Sequence, residues 1–295
     1  MNNMNRESFN SMRRMVVVSV VAIGVAATTA EAQDGKYLEL DPTKFDRPTN
    51  IDHEWWPLEP GTRLTYEGFT VDEGKKIRHR IVETVTDLTK VINGVRTVVN
   101  LELDFSDGKL LEKEIAFHAQ DNEGNVWHLG QLRETYEDGK QLVGGQSWLV
   151  GHPKEAKAGI RMLAKPGLGT PAYSQGYAPA PFYWTDRARV IQMGKSTKVP
   201  AGAYKDVMVI EEWDEESPKG AVQTKYYARG VGIVRIGFRG ADKSKEEMVL
   251  VKVEQLSPEA MAEAHAAALD LEQRAYEYSR TSPVEDMVLS KGDKK

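Results

Sequence analysis

The chain has 295 residues, with 25 glycines, 13 prolines, no cysteine and a formal net charge of -5. That length suits one or two domains, and an apolar share of 40% can fill a core, which excludes wholesale disorder. Mild acidity argues against a nucleic-acid partner, and the lack of cysteine excludes disulfides, thiolate metal sites, iron–sulfur clusters and thiol nucleophiles.

Residues 1–32 read as an export signal. Arg13 and Arg14 close a positive segment, Met15 to Ala27 is apolar but too short to span a bilayer, and Ala30-Glu31-Ala32 offers a small-x-small cleavage site before Gln33. A buried N-terminal core helix is the alternative. The arginine pair also fits a twin-arginine signal loosely, so the general and twin-arginine routes both stay open. No later run reaches the roughly 18 apolar residues of a membrane span, so the processed protein is expected to be soluble and periplasmic or secreted.

Residues 33–60, rich in Pro and Asp, form an extended lead-in. A β domain over 61–256 follows. Its turn signals are Asp72-Glu73-Gly74, Asn93-Gly94, Asp107-Gly108, Glu123-Gly124-Asn125 and Asp138-Gly139. From Val95 to Phe105 the apolar positions Val95, Thr97, Val99, Leu101, Leu103 and Phe105 alternate with Arg96, Asn100, Glu102 and Asp104. This period of two predicts an antiparallel strand with one wet face.

Residues 144–187 are dense in Gly, Pro and Ala and read as mostly loop. A second set of strands is expected at about 188–193, 204–213, 222–228, 232–238 and 246–255. Thr89-Lys90-Val91 corresponds to Thr197-Lys198-Val199, and Phe117-His118-Ala119 to Tyr226-Tyr227-Ala228, at an offset near 108 residues. Segments 61–143 and 188–256 are therefore candidate repeats, although a shared hairpin grammar also explains the match. Ser257 caps a helix over 257–280 whose stripe of Met261, Ala264, Ala268, Leu271, Ala275 and Tyr278 suits packing on the sheet. The tail 281–295, with few apolar groups, is expected to be disordered.

For chemistry, a hairpin around Asn122-Glu123-Gly124 sets His118 directly opposite His128. Two cross-strand imidazoles could give two nitrogen ligands to zinc or copper, but no third ligand is visible; half-exposed sheet histidines are the plainer reading. The loop Asp121–Asn125 lacks the ligand spacing of a calcium loop, and turn chemistry accounts for it. The acidic run Glu211–Glu216 reads as a solvated strand end. Trp55 and Trp56 in the lead-in, Trp127 in the hairpin, and Tyr173, Tyr177, Tyr183 and Trp184 in the loop zone are candidates to line an apolar or glycan cleft, or else to plug the ends of the β-structure. No nucleophile elbow, zinc-protease helix or phosphate loop occurs, and no cofactor is expected.

Several of these segments resemble a family of exported bacterial β-rich proteins of unassigned function. The matching residues are Asn50-Ile51-Asp52-His53-Glu54-Trp55-Trp56-Pro57-Leu58-Glu59-Pro60-Gly61-Thr62, Tyr66-Glu67-Gly68, Ala119-Gln120-Asp121 with Gly124-Asn125-Val126-Trp127, and Lys225-Tyr226-Tyr227-Ala228 with Gly230-Val231-Gly232. The last hairpin is also similar, at fold level, to lipoprotein-carrier half-barrels. The first resemblance implies Tyr where this chain has His118 and His128, so it lends nothing to a metal site.

The expected fold is an all-β antiparallel meander of about ten strands, either a curled barrel-like sheet or two stacked β-repeats, with one C-terminal helix. The leading functional expectation is a non-catalytic binding or envelope-associated protein with an aromatic-lined cleft. The alternatives are a metal-dependent or acid–base hydrolase using His118 and His128, and a structural interaction module. Oligomeric state is left open.

Overall fold

A computed structural model describes residues 37–137, 140–142, 147–279 and 285–286. The export signal expected over 1–32 and the Asp138-Gly139 turn lie outside the described residues.

Five long strands follow the lead-in: β1 (Thr62–Asp72), β2 (Lys75–Ile92), β3 (Val95–Ser106), β4 (Lys109–Gln120) and β5 (Val126–Glu137). The first three hairpins are two-residue turns. In each, both central residues have positive φ, as at Asn93 (47°) and Gly94 (83°), which is why Asn-Gly stands there. Five short strands come next: β6 (Lys140–Leu142), β7 (Trp148–Leu149), β8 (Lys157–Met162), β9 (Tyr173–Ser174) and β10 (Gly176–Tyr177). The zone expected to be mostly loop therefore supplies strands β7 to β10, and β8 pairs with β5. Long strands then resume with β11 (Arg187–Val199), β12 (Gly202–Trp213), β13 (Val222–Ala228), β14 (Gly232–Arg239) and β15 (Glu247–Gln255). Helix α1 (Pro258–Ser279) and a two-residue strand β16 (Glu285–Asp286) end the described chain. β16 pairs with Leu88 and Thr89 of β2, so part of the tail expected to be disordered adds to the sheet.

All sixteen described strands belong to one antiparallel sheet, more than the ten or so expected, because the Gly/Pro zone contributes short ones. The order is β10-β8-β5-β4-β3-β2-β1-β15-β14-β13-β12-β11-β9, with β6 and β7 on β5 and β16 on β2. First and last long strands are neighbours, Thr62 pairing with Gln255. The outer strands β8 and β11 do not pair with each other among the described residues. Instead the segment Tyr173–Tyr177 meets both, its first two residues on Ala188 and Arg187 and its last two on Ala158 and Lys157. The sheet is thus curled, with its ends spanned by five residues.

Two apolar clusters lie on opposite faces. Val99, Leu101, Ile115, Phe117, Leu129 and Leu132 pack with Ala264, Ala268, Leu271 and Ala275 of α1. Of the expected stripe, Ala264, Ala268, Leu271 and Ala275 are buried, Met261 is half-buried outside the cluster, and the Tyr278 side chain lies outside the described ones; α1 rests on β2, β4 and β5. Ser257 caps it through its Oγ, 3.3 Å from the amide of Ala260. The other cluster gathers Trp55, Trp56, Leu58, Tyr66, Val98, Val190, Ile210, Tyr227 and Ile233. Here the lead-in serves as core: Ile51, Trp55, Trp56 and Leu58 are at most 5% exposed. Among the described residues no helix is long and apolar enough to cross a membrane.

Candidate functional site

On β3, Val99 and Leu101 go under α1, so Asn100, Glu102 and Asp104 must face the other way. That face is half-buried rather than the freely solvated one the sequence suggested. The sheet curls round it, and those three residues line an interior cavity of about 300 Å³. β4 repeats the pattern, with Ile115 and Phe117 outside and Glu112, Glu114 and His118 lining the cavity. Register then assembles rows of side chains across four strands. One row is Glu83, Glu102, Glu114 and Arg133, each paired with the next. Four residues closer to the hairpin on β4, beyond a bulge at Ala116/His118 that gives β5 one extra residue, His118 stands opposite His128, as the hairpin predicts.

The histidine pair is walled by aromatics. The rings stack with centroids 5.2 Å apart and planes 21° apart, Trp56 meets His118 edge-on at 4.8 Å, and Trp148 and Trp184 contact His128 at 5.1 and 5.5 Å. Burial, with help from the neighbouring His128 charge and Arg161, holds His118 well below the usual histidine range, and burial and Arg161 hold His128 at about 4. Both rings are therefore neutral near pH 7. The Gln175 carbonyl, 3.2 Å from His128 Nδ1, can only accept, so Nδ1 carries the proton and Nε2 is a bare acceptor.

Around them the charges are paired unevenly. Arg161 lies over the Trp56 ring at 5.2 Å and donates to Glu212 at 3.2 Å. Lys225 also pairs with Glu212. Burial alone would raise Glu212, but these two cations outweigh it and hold its carboxyl at about 2. Glu211 and Glu212, expected on a solvated strand end, are instead 4% and 6% exposed, and Glu211 binds Arg189 and Arg239. Arg133 is shared between Glu112 at 3.2 Å and Glu114 at 2.6 Å. His79 sits between Asp104 (2.6 Å) and Glu246 (2.9 Å); burial opposes its charge, but the two carboxylates raise it to about 10. Asp186 is pushed up to about 7 by burial and by Glu212. Glu83 and Glu102 are raised above the usual carboxylate range, in both cases chiefly by burial, and among the described residues no side-chain hydrogen bond or ion pair reaches either carboxyl group.

Of the nine residues singled out in the sequence, Trp56, Trp184, His118 and His128 line the cavity. Trp127 does not; its indole NH donates to Asp121 at 2.8 Å and its ring packs in the cluster under α1. Asp121 also accepts from the amides of Glu123 and Asn125, so turn chemistry does explain that loop. Trp55 is buried under Arg229 at 4.2 Å, Tyr177 packs against Tyr37 with centroids 4.7 Å apart and planes tilted by 37°, and Tyr183 is 51% exposed. Tyr173 is partly buried in β9, its hydroxyl unpartnered. As a metal pair, His118 and His128 supply two ligands, and no group of three or more His, Asp or Glu side chains suited to an ion occurs among the described residues. The expected aromatic lining is realised only in part, because most of the wall is carboxylate, guanidinium and amide. The signal for that wall was present in the even-numbered polar residues of β3 and β4, but the sequence assigned that face to solvent.

These features define an all-β protein: a curled antiparallel sheet with a charged interior, backed by one C-terminal helix. No family model matches the chain, and no curated protein matches it. Among solved structures it is similar to a provisionally designated exported protein with YmcC-like fold from Bacteroides fragilis, at 14% identity and a TM-score of 0.38, over 68% of this chain and 99% of that one. It is also similar to a provisionally designated lipoprotein from Parabacteroides distasonis, at 12% identity and a TM-score of 0.36, over 69% of this chain and 100% of that one.

Proposed function

We propose that this chain is an exported, non-catalytic binding protein that holds a small polar molecule in the cavity of its curled sheet. The observation that carries this reading is a set of buried polar atoms on the cavity wall with no partner: His118 Nδ1, His128 Nε2, Gln175 Oε1, Asn100 Oδ1 and Trp184 Nε1. A buried donor or acceptor left unpaired costs about 1–3 kcal/mol, so five on one wall favour a molecule that supplies both donors and acceptors. A volume of about 300 Å³ is at the small end of ligand sites and suits a monosaccharide-sized molecule. Trp56 and Trp184 add two rings against which a sugar face can pack. Of the apolar and glycan ligands expected from sequence, this wall favours the glycan. Two histidines held neutral, one of them at about 4, are poorly matched to proton exchange near neutral pH, which supports binding over hydrolysis.

Thermal shift and native mass spectrometry with a panel of small sugars and fatty acids test this. A sugar-sized polyol is expected to raise Tm, and Gln175→Ala to reduce that shift. Stabilisation by fatty acids alone, unaffected by Gln175→Ala, would overturn the reading.

A further inference from the structure

We propose that the molecule held in this cavity carries a protonated amine, received between Glu83 and Glu102, which oppose each other across β2 and β3. This rests on the cavity being a ligand site, and it adds the charge of the ligand.

Glu83, Glu102 and Glu114 occupy consecutive strands in direct register. Directly opposed side chains in a sheet have Cβ atoms about 5 Å apart, and like charges there repel. Such a row persists when bound protons or cations neutralise it, and the cations lining the cavity are engaged elsewhere. Arg133 neutralises the Glu114 end and also binds Glu112. Arg161 and Lys225 both go to Glu212. His79 is held by Asp104 and Glu246. Glu83 feels Arg161 and Lys225 from a distance and Glu114 against it, whereas Glu102 faces Glu114, Glu83 and Asp104 with only Arg133 in its favour. Two carboxylates thus remain, opposed on one wall, with no cation of their own.

A second observation points to a donor-rich ligand independently of the acidic row. Gln175 is 1% exposed and His128 4% exposed, both line the same cavity, and Gln175 Oε1 and His128 Nε2 are acceptors with no donor. An ammonium brings positive charge and N–H donors to the two carboxylates, and hydroxyl groups of the same molecule bring donors to Gln175 and His128. A divalent metal fits less well. It needs several oxygen ligands, and the third carboxylate of the row is already bound by Arg133 and by the Gln131 amide at 2.8 Å.

Isothermal titration of the wild-type chain at pH 7 tests this with glucosamine and ethanolamine, against glucose and ethylene glycol as neutral counterparts and calcium chloride as the metal arm. Each amine is expected to bind at least tenfold more tightly than its neutral counterpart. Protons should be released on amine binding, seen as a dependence of the heat on buffer ionisation. Glu83→Gln/Glu102→Gln, and more weakly Glu102→Gln alone, should abolish both the preference and the proton release while circular dichroism stays unchanged. Equal binding of amine and polyol overturns the ammonium assignment and leaves the cavity as a ligand site. A preference that survives the double variant, or calcium binding in place of the amines, overturns the assignment too. No binding by any amine or polyol to folded protein overturns both readings.

Discussion

His79 ties three chain segments with one imidazole, since Asp104 belongs to β3 and Glu246 precedes β15. All three side chains are at most 15% exposed, so solvent screens them little. His79→Gln leaves two facing carboxylates without a cation and is expected to lower stability at pH 6 by about 3 kcal/mol in urea unfolding. The pH dependence has a definite sign. Folding raises this imidazole from 6.5 to about 10, so its stabilising effect is complete below pH 6.5 and is lost as pH climbs to about 10. Wild type should therefore lose stability between pH 6.5 and 10 faster than His79→Gln. Parallel curves for the two proteins would refute the assignment.

At the scale of elements, α1 is anchored by charge as well as by its alanine stripe. Lys90 of β2, 0% exposed, lies 2.8 Å from Glu272, and Arg274 donates to Glu134 of β5 at 2.7 Å. Burial depresses the Lys90 amine, and Glu272 opposes that trend. Lys90→Met strands a buried carboxylate and should destabilise by about 3–5 kcal/mol, whereas Lys90→Met/Glu272→Leu should recover most of the loss in the same denaturant assay. A double variant no better than the single would show that the pair is not the cause. Elements like this helix and the Asn93-Gly94 hairpin were legible in the sequence because their signals are local: a cap, a stripe, a turn that demands positive φ. Glu102 and Asp104 were equally visible as polar positions, yet their destination was not. Alternation fixes which residues share a face, but the curl that turns this face inward comes from register shifts, such as those at Ala116/His118 and Tyr226/Tyr227, and from pairings between strands remote in sequence. Trp127 misled for the opposite reason: its aromatic character is plain, but its partner Asp121 is set by the turn.

For the whole molecule, integrity of the curl depends on how closely β8 approaches the spanning segment. A Cβ on Gly159 would fall 2.0 Å from the Gly176 nitrogen and 2.2 Å from the Gln175 carbonyl carbon, both backbone atoms with nowhere to yield. Gly159→Ala is expected to cost about 1–3 kcal/mol. It should also accelerate hydrogen exchange across residues 157–177 at least tenfold while β2 to β4 stay protected. Unchanged exchange there would mean that the two ends of the sheet do not depend on this contact. The pairing of Thr62 with Gln255 has a kinetic consequence as well. β1 has a neighbour on one side early, in β2, but its other neighbour lies nearly two hundred residues along the chain, and closing so long a loop is slow. Until β15 is available, the chain stays a ribbon of hairpins with an exposed edge. The longer that edge waits for its partner, the longer it can pair with a strand of another chain, so slow closure and exposure to aggregation come from the same pairing.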